Sequence, residues 1–267
     1  MSFVCVEKPR PHVSVITLDR PDRMNAMSFD LVEPLYAAID RVGKDNDTWV
    51  VVLTGRGNGF CAGLDLEDHG VPPNCDNLPM SRIATRAMAY MSNLVPALRQ
   101  MPQPVICAVN GPAVGGGMCL TLGADIRIAA ESAYFRAAGI TNGLTATELG
   151  VSFLLPRLIG ASHAFEILLS GRDVSAEEAA RVGLVSRVVP DATLMDEVFS
   201  LAEKICGHST HGVAMTKETI WANLETGSLE AAIHLENRNQ LLVRLTTRNL
   251  EEAIRARREK RKPVYED

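Results

Sequence analysis

The chain has 267 residues, 46 % hydrophobic and 22 % charged, with a net charge of −5 and a pI near 5.7. That length can bury a large core, in one domain or one domain with an appendage. Mild acidity, basic residues spread along the chain until its C-terminus and only 5 % aromatic residues argue against a nucleic-acid partner, duplex or single-stranded. The N-terminus carries no charged-then-apolar leader, so a cytoplasmic protein is expected. The six cysteines (5, 61, 75, 107, 119, 206) show no CxxC or His-paired spacing; they read as reduced core residues, and no metal site is expected.

In chain order, residues 12–18 alternate and are β-branched, which predicts a strand, and 19–23 predict a loop. Ser28 is placed to cap a helix from 29 to about 42, with apolar residues at 31, 32, 35, 36 and 39. Residues 49–53 read as a short buried strand. The turn-rich link 55–59 contains GxGxG, but it lacks the spacing of a dinucleotide fingerprint, and no GKS/T box exists. Residues 69–79 are polar with three prolines and read as a loop. Residues 81–101 read as one long helix that tolerates or kinks at Pro96. Residues 125–130 and 133–135 predict short strands. Thr145 or Thr147 could cap a helix to about 159, and 161–169 predict another, ended by Gly171. Ser175-Ala176-Glu177-Glu178 resembles a capping box opening a helix to 182. Residues 183–185 look strand-like. From 191 the pattern is helical, with breaks near 208–211, 226–228 and 246–247. Strand–helix alternation to about 190, followed by helices, argues for an α/β fold with mostly parallel pairing.

The stretch 104–129 organises the rest. A β-branched run, Val105–Val109, ends in Asn110-Gly111-Pro112, and Gly115, Gly116 and Gly117 then open a helix. The first N–H groups of a helix have no partner inside it and lie at the positive end of its dipole. A strand, a glycine turn and a helix start can therefore receive an oxygen bearing negative charge. The same pattern also serves where a helix simply packs closely on a sheet. Five glycines, a proline and an asparagine within 105–124 point to a buried core instead of a membrane span.

Two motifs go beyond this generic reading: Phe60-Cys61-Ala62-Gly63-Leu64-Asp65-Leu66, and Ala108-Val109-Asn110-Gly111-Pro112-Ala113-Val114-Gly115-Gly116-Gly117 followed by Ala124-Asp125-Ile126-Arg127. Upstream stands Arg20-Pro21 with Asn25-Ala26-Met27-Ser28. Downstream stand Ala176-Glu177-Glu178-Ala179 and Gly183-Leu184-Val185-Ser186-Arg187-Val188-Val189. In content and order these resemble the enoyl-CoA hydratase/isomerase (crotonase) superfamily over nearly the whole chain. The resemblance implies a crotonase-like spiral of ββα units over 1–190, carrying the coenzyme A and oxyanion sites, and a C-terminal helical trimerisation region over 191–267. It also implies trimers, commonly paired into hexamers, and no cofactor beyond the coenzyme A of the substrate thioester. By motif position, the backbone amides of Leu64 and Gly116 would stabilise a thioester enolate. Arg23, Met24 and Ala26 would lie beside the adenine. Ala62, Leu64, Asp65 and Leu66 would follow the nucleotide and pantetheine. Lys260 would reach the phosphates, although it also reads as part of a solvated charge cluster. Glu67 stands where hydratases often carry a phosphate-binding lysine, which should weaken that contact or move it to Arg23.

Hydratases of this family use two glutamates, and their positions fall here on Cys119 and Gly139. A thiolate is disfavoured in an apolar run, so Cys119 reads as core. Glu148, eight residues before Pro156 in a region where some isomerases of the family place an acid, is the substitute candidate. An apolar pocket would raise its pKa toward proton transfer. Asp65 reads as loop-fixing, Asp125 as structural and His69 as a surface residue. The implied activity is hydration or double-bond isomerisation of an enoyl-CoA in fatty-acid metabolism. A non-catalytic acyl-CoA binding protein, or an acyl-CoA hydrolase or decarboxylase, would use the same scaffold.

Overall fold

The β-branched runs pair side by side. In a computed structural model describing residues 2–266, the strands are β1 (Val4–Arg10), β2 (Val13–Leu18), β3 (Val50–Gly55), β4 (Val105–Val109), β5 (Ala113–Val114), β6 (Ile126–Ala130), β7 (Tyr134–Arg136), β8 (Asp173–Ser175) and β9 (Arg187–Val189). Six of them form one sheet in the order β1-β2-β3-β4-β6-β9, parallel except for the antiparallel edge pair β1/β2. The other three form a small sheet, β5-β7-β8. Strand β1 has no counterpart in the sequence reading: its outer half is exposed and holds Pro9, both marks of a sheet edge.

The helices are α1 (Phe29–Gly43), α2 (Met80–Ser92), α3 (Leu94–Arg99), α4 (Gly116–Leu122), α5 (Val151–Ile159), α6 (Ala161–Ser170), α7 (Ala176–Val182), α8 (Leu194–Cys206), α9 (Thr210–Asn223), α10 (Leu229–Thr246) and α11 (Asn249–Glu259). Side chains alternate across the pleat and divide the core in two. Val13, Val15, Val50, Val52, Ile106, Ala108 and Ile128 meet Leu194, Val198 and Ala202 of α8. Ile16, Leu18, Val51, Leu53, Cys107 and Val109 meet the buried faces of α1, α3 and α4. Helix α8 thus covers one face of the sheet although it follows residue 190.

Several boundaries differ from the sequence reading, each for a local reason. The expected helix 81–101 is two helices that meet at Asn93. Pro96 stands in the first turn of the second, where its missing N–H has no intrahelical partner to lose. Ser28 precedes α1 as expected, but its buried Oγ makes no capping bond. Helix α5 begins only at Val151, after Gly150 at φ 85°, so Thr145 and Thr147 lie in the preceding loop and cap nothing. Gly183 is the left-handed terminus of α7, and the strand expected at 183–185 forms at 187–189. Ser175 does cap α7, accepting the Glu178 N–H at 3.2 Å.

The last helices pack loosely by comparison. Helix α10 has no buried residue, and a cavity of about 1030 Å³ lies between α9, α10, α11 and the start of β6. A polar cluster ties α9 to the body. Lys217 Nζ lies 2.9 Å from Asp125 Oδ2 and donates to the Gln103 carbonyl, and Trp221 Nε1 donates to Asp125 Oδ1 at 2.6 Å. No helix among the described residues is long and apolar enough to cross a membrane.

Candidate active site

Two loops and a helix start converge where β3 and β4 end. The loop 60–66 runs between the segment 24–27 and strand β5. On one side Ala62 N donates to Met24 O, Met27 N to Gly63 O (2.7 Å) and Asp65 N to Met27 O. On the other, Phe60 N and Cys61 N donate to Pro112 O, and Val114 N donates to Cys61 O at 2.9 Å. The Gly63–Leu64 peptide is trans, so its N–H points opposite to its carbonyl, away from Met27. The same argument applies at the helix start. The Gly115 carbonyl accepts from Cys119 N within α4, so the Gly116 N–H points outward along the helix axis. Gly115 itself, at φ 54°, is the residue before the helix and not part of its first turn.

Glycine lets these segments touch. A Cβ on Gly63 would stand 2.6 Å from the Val114 carbonyl and 3.3 Å from the Gly116 nitrogen, and Gly63 is at φ 85°. A Cβ on Gly117 would meet the Cys61 carbonyl at 2.1 Å. The amides of Leu64 and Gly116 thus lie on adjoining backbone turns, and neither donates a hydrogen bond among the described residues. Paired free N–H groups of this kind suit an oxygen that gains charge during reaction. Losing one such donor costs a transition state about 2.7–4 kcal/mol.

Glu148 reaches this place. Its Oε1 lies 3.5 Å from where a Cβ on Gly115 would be, a position that is also 3.7 Å from the Ala138 methyl. It stands in the loop before α5, outside that helix's first turn. Burial pushes its carboxyl above the usual range, and none of the described hydrogen bonds or ion pairs offsets this. Cys119, one turn into α4, is buried. Burial first, and the neighbouring Glu148 charge second, hold its thiol well above the normal value. Gly139 has no room for a side chain, since a Cβ there would lie 2.1 Å from the Thr145 carbonyl. That contact, with Leu144 N donating to Gly139 O, folds the loop that carries Glu148 back toward the glycines.

The outer rim is built differently. A short turn (Pro21–Arg23) leads into Met24 and Asn25, both left-handed, and the buried Asn25 amide donates to the Arg56 and Gly59 carbonyls. Asp65 is 4 % exposed and accepts from Arg20 Nη1 at 2.7 Å and Arg23 Nη2 at 3.0 Å. The Asp68 N–H foremost, with Arg23, the Glu67 N–H and Arg20, holds its carboxyl far below the usual carboxylate range. This is the loop-fixing part expected of Asp65. Met24, Leu64 and Leu66 are exposed, Ala62 half-buried and Ala26 buried. Lys260 is an exposed left-handed residue ending α11, and no hydrogen bond or ion pair among the described residues joins it to the rim. His69 is exposed.

One contributor goes unmarked in the sequence reading. Met27 pins Leu64 through its backbone, and its methyl fills the space beside Gly116, 2.2 Å from where a Cβ would stand. Its signal was its place between the buried Asn25 turn and α1.

A sequence profile described as enoyl-CoA hydratase/isomerase matches residues 10–267. A Mycobacterium tuberculosis protein named "Probable enoyl-CoA hydratase EchA12" is 55 % identical over 267 residues, covering 100 % of this chain and 94 % of that one. A crystal structure described as a probable enoyl-CoA hydratase/isomerase from Mycobacterium abscessus superposes with a TM-score of 0.95 at 50 % identity, covering 99 % of this chain and 98 % of that one. One described as a monofunctional enoyl CoA isomerase from M. smegmatis gives 0.74 at 47 % identity, over 87 % and 99 %. Fold, motif order and these likenesses agree: the chain belongs to the enoyl-CoA hydratase/isomerase family of enzymes.

Proposed function

We propose that this chain shifts a double bond in enoyl-CoA thioesters, with Glu148 as the proton carrier. The observation that carries this reading is the Glu148 carboxyl beside the glycine turn that opens α4, with Cys119 and Gly139 standing where the resemblance puts the two hydratase glutamates. Adding water across a double bond asks one group to activate water and another to supply a proton. Moving a double bond asks only that one base take a proton from carbon and return it to another carbon. In this reading the thioester oxygen accepts from the Leu64 and Gly116 N–H groups. Glu148 removes a proton from C2 or C4, the electrons pass into an enolate held by the two amides, and the same proton returns at the other end. Substrate and product are isomers, and no water is consumed.

Arg23, Met24, Ala26, Ala62, Asp65, Leu66 and Lys260 form the coenzyme A side of this proposal, and no separate cofactor takes part. The chain would work in the cytoplasm on fatty-acyl thioesters, as a trimer or a pair of trimers joined through residues 191–267. The test is turnover of short and long 2-enoyl-CoA and 3-enoyl-CoA by wild type and Glu148→Gln. Isomerisation lost by a factor of about 10²–10⁴ in the variant supports the reading. Equal activity of the two proteins removes Glu148 from its role. Hydrated product at comparable rates makes the chain a hydratase. Thioester binding without turnover makes it an acyl-CoA binding protein.

A further inference from the structure

The rim of the site carries more acid than base. Three carboxylates, Asp65, Glu67 and Asp68, face two guanidinium groups, Arg20 and Arg23. Their parts differ. Buried Asp65 takes Nε and Nη2 of Arg23 at 3.2 and 3.0 Å and fixes the side chain in place. The third nitrogen, Nη1, is held at 2.8 Å by Glu67, which is 79 % exposed, whereas Arg23 is 38 % exposed. Asp68 stands on the far side and pairs with Arg20 at 3.1 Å. An exposed ion pair of this kind is weak and readily exchanged. A phosphate arriving at Arg23 would displace Glu67, yet that carboxylate would remain a few ångströms away as a like charge.

We propose that Glu67 is a specificity-determining residue that competes with the nucleotide phosphates of a coenzyme A thioester for the Nη1 edge of Arg23. This rests on the acyl-CoA reading given above and sharpens it. Glu67 lowers the nucleotide's share of recognition and leaves the pantetheine arm with its acyl group untouched.

The experiment compares KM and kcat for an enoyl-CoA and for the matching enoyl-pantetheine, at low and high potassium chloride, in wild type, Glu67→Gln and Glu67→Lys. Position 67 is exposed, so both variants are expected to fold. Removing a like charge a few ångströms from a phosphate should lower KM for the coenzyme A thioester about threefold, and reversing it about tenfold. KM for the pantetheine thioester, and kcat for both, should stay unchanged. The gain in Glu67→Lys should fade as salt is raised, because an exposed attraction is screened. Equal shifts for the two thioesters, or none for either, overturn the proposal while leaving the thioester reading intact. Failure of wild type to bind or turn over either thioester overturns that reading, and this proposal falls with it.

Discussion

Two carboxylates lie on the same loop-built site and are treated in opposite ways. Asp65, at the rim, is surrounded by two guanidinium groups and two backbone N–H groups, so its charge is welcome and the loop is fixed around it. Glu148, at the floor, lies beside Gly115 before α4 and near enough to the Cys119 thiol to disfavour the thiolate. Nothing there offsets burial, so its charge is disfavoured. In the proposed reaction the difference separates a structural acid from a working one. A carboxylate that is fully satisfied gains nothing by taking up a proton, whereas one that is poorly satisfied holds a proton more readily than an ordinary carboxyl.

The sharpest way to break this contrast is at the floor. Glu148→Gln keeps the shape, removes the base, and should lower the isomerisation kcat by about 10²–10⁴. In the wild type, kcat/KM should rise with pH and level off, with its midpoint above the ordinary carboxyl range, because the base must be ionised. A midpoint at or below that range, in a pH–rate profile, would contradict the burial argument.

Moving the floor without changing its chemistry comes next. Gly139→Ala places a methyl against the Thr145 carbonyl, which cannot yield as a side chain could. The loop must shift and carry Glu148 with it. We expect kcat to fall more than tenfold, since about 1 Å of misplacement can cost on the order of a hundredfold. Gly116→Ala meets only the Met27 methyl, which can rotate away, so its thermal midpoint should drop less than that of Gly117→Ala, which meets the Cys61 backbone. Thermal melts of the two variants check this directly.

The rim and floor should also respond to pH with opposite sign. The Asp65 carboxyl is depressed in the folded state, so its stabilisation is present above the ordinary carboxyl range and disappears as pH falls through its lowered value. Asp65→Asn should therefore melt lower than wild type at neutral pH and converge with it in acid. The Glu148 carboxyl is raised, so the folded state favours its protonated form, and stability is lost as pH climbs through the raised value. Glu148→Gln should melt slightly higher than wild type at neutral pH and match it in acid. Melting curves across pH, in which the two variants move the same way, would undo the comparison. Smallest of all is Cys119→Ser: a buried thiol that stays protonated carries no proton in the proposed step, so kcat should stay within severalfold of wild type.

Much of this was legible in the residues. Strands β2, β3, β4 and β6 are β-branched runs long enough to read directly, and the motif order named the superfamily. The glycine triplet pointed to a backbone site because three glycines in succession require a reason. What escaped was set by contacts across the chain. The two-residue strand β5 exists only because loop 60–66 lies beside it, and the edge strand β1 mixes Pro9 and charges into its run. The helix start after Glu148 was misplaced because Thr145 and Thr147 look like caps, while Gly150 in a left-handed conformation does the work. Glu148 could be named as a candidate from the resemblance, by its place before Leu155-Pro156. Its approach to Gly115 depends on the fold-back at Gly139, which no local pattern announces.

The two amides at the centre of the site belong to the main chain, and that has a bearing on inheritance. Codon changes at position 64 alter a side chain that is 44 % exposed and leave its N–H where it was, with proline the one exception among the twenty residues. A lineage can therefore drift at Leu64 and keep its donor, whereas the neighbours that pin the loop, Gly63 and Gly117, leave almost no latitude. If the proposed thioester contact holds, heredity protects it indirectly, through glycines that pin the loop and supply no side chain to it.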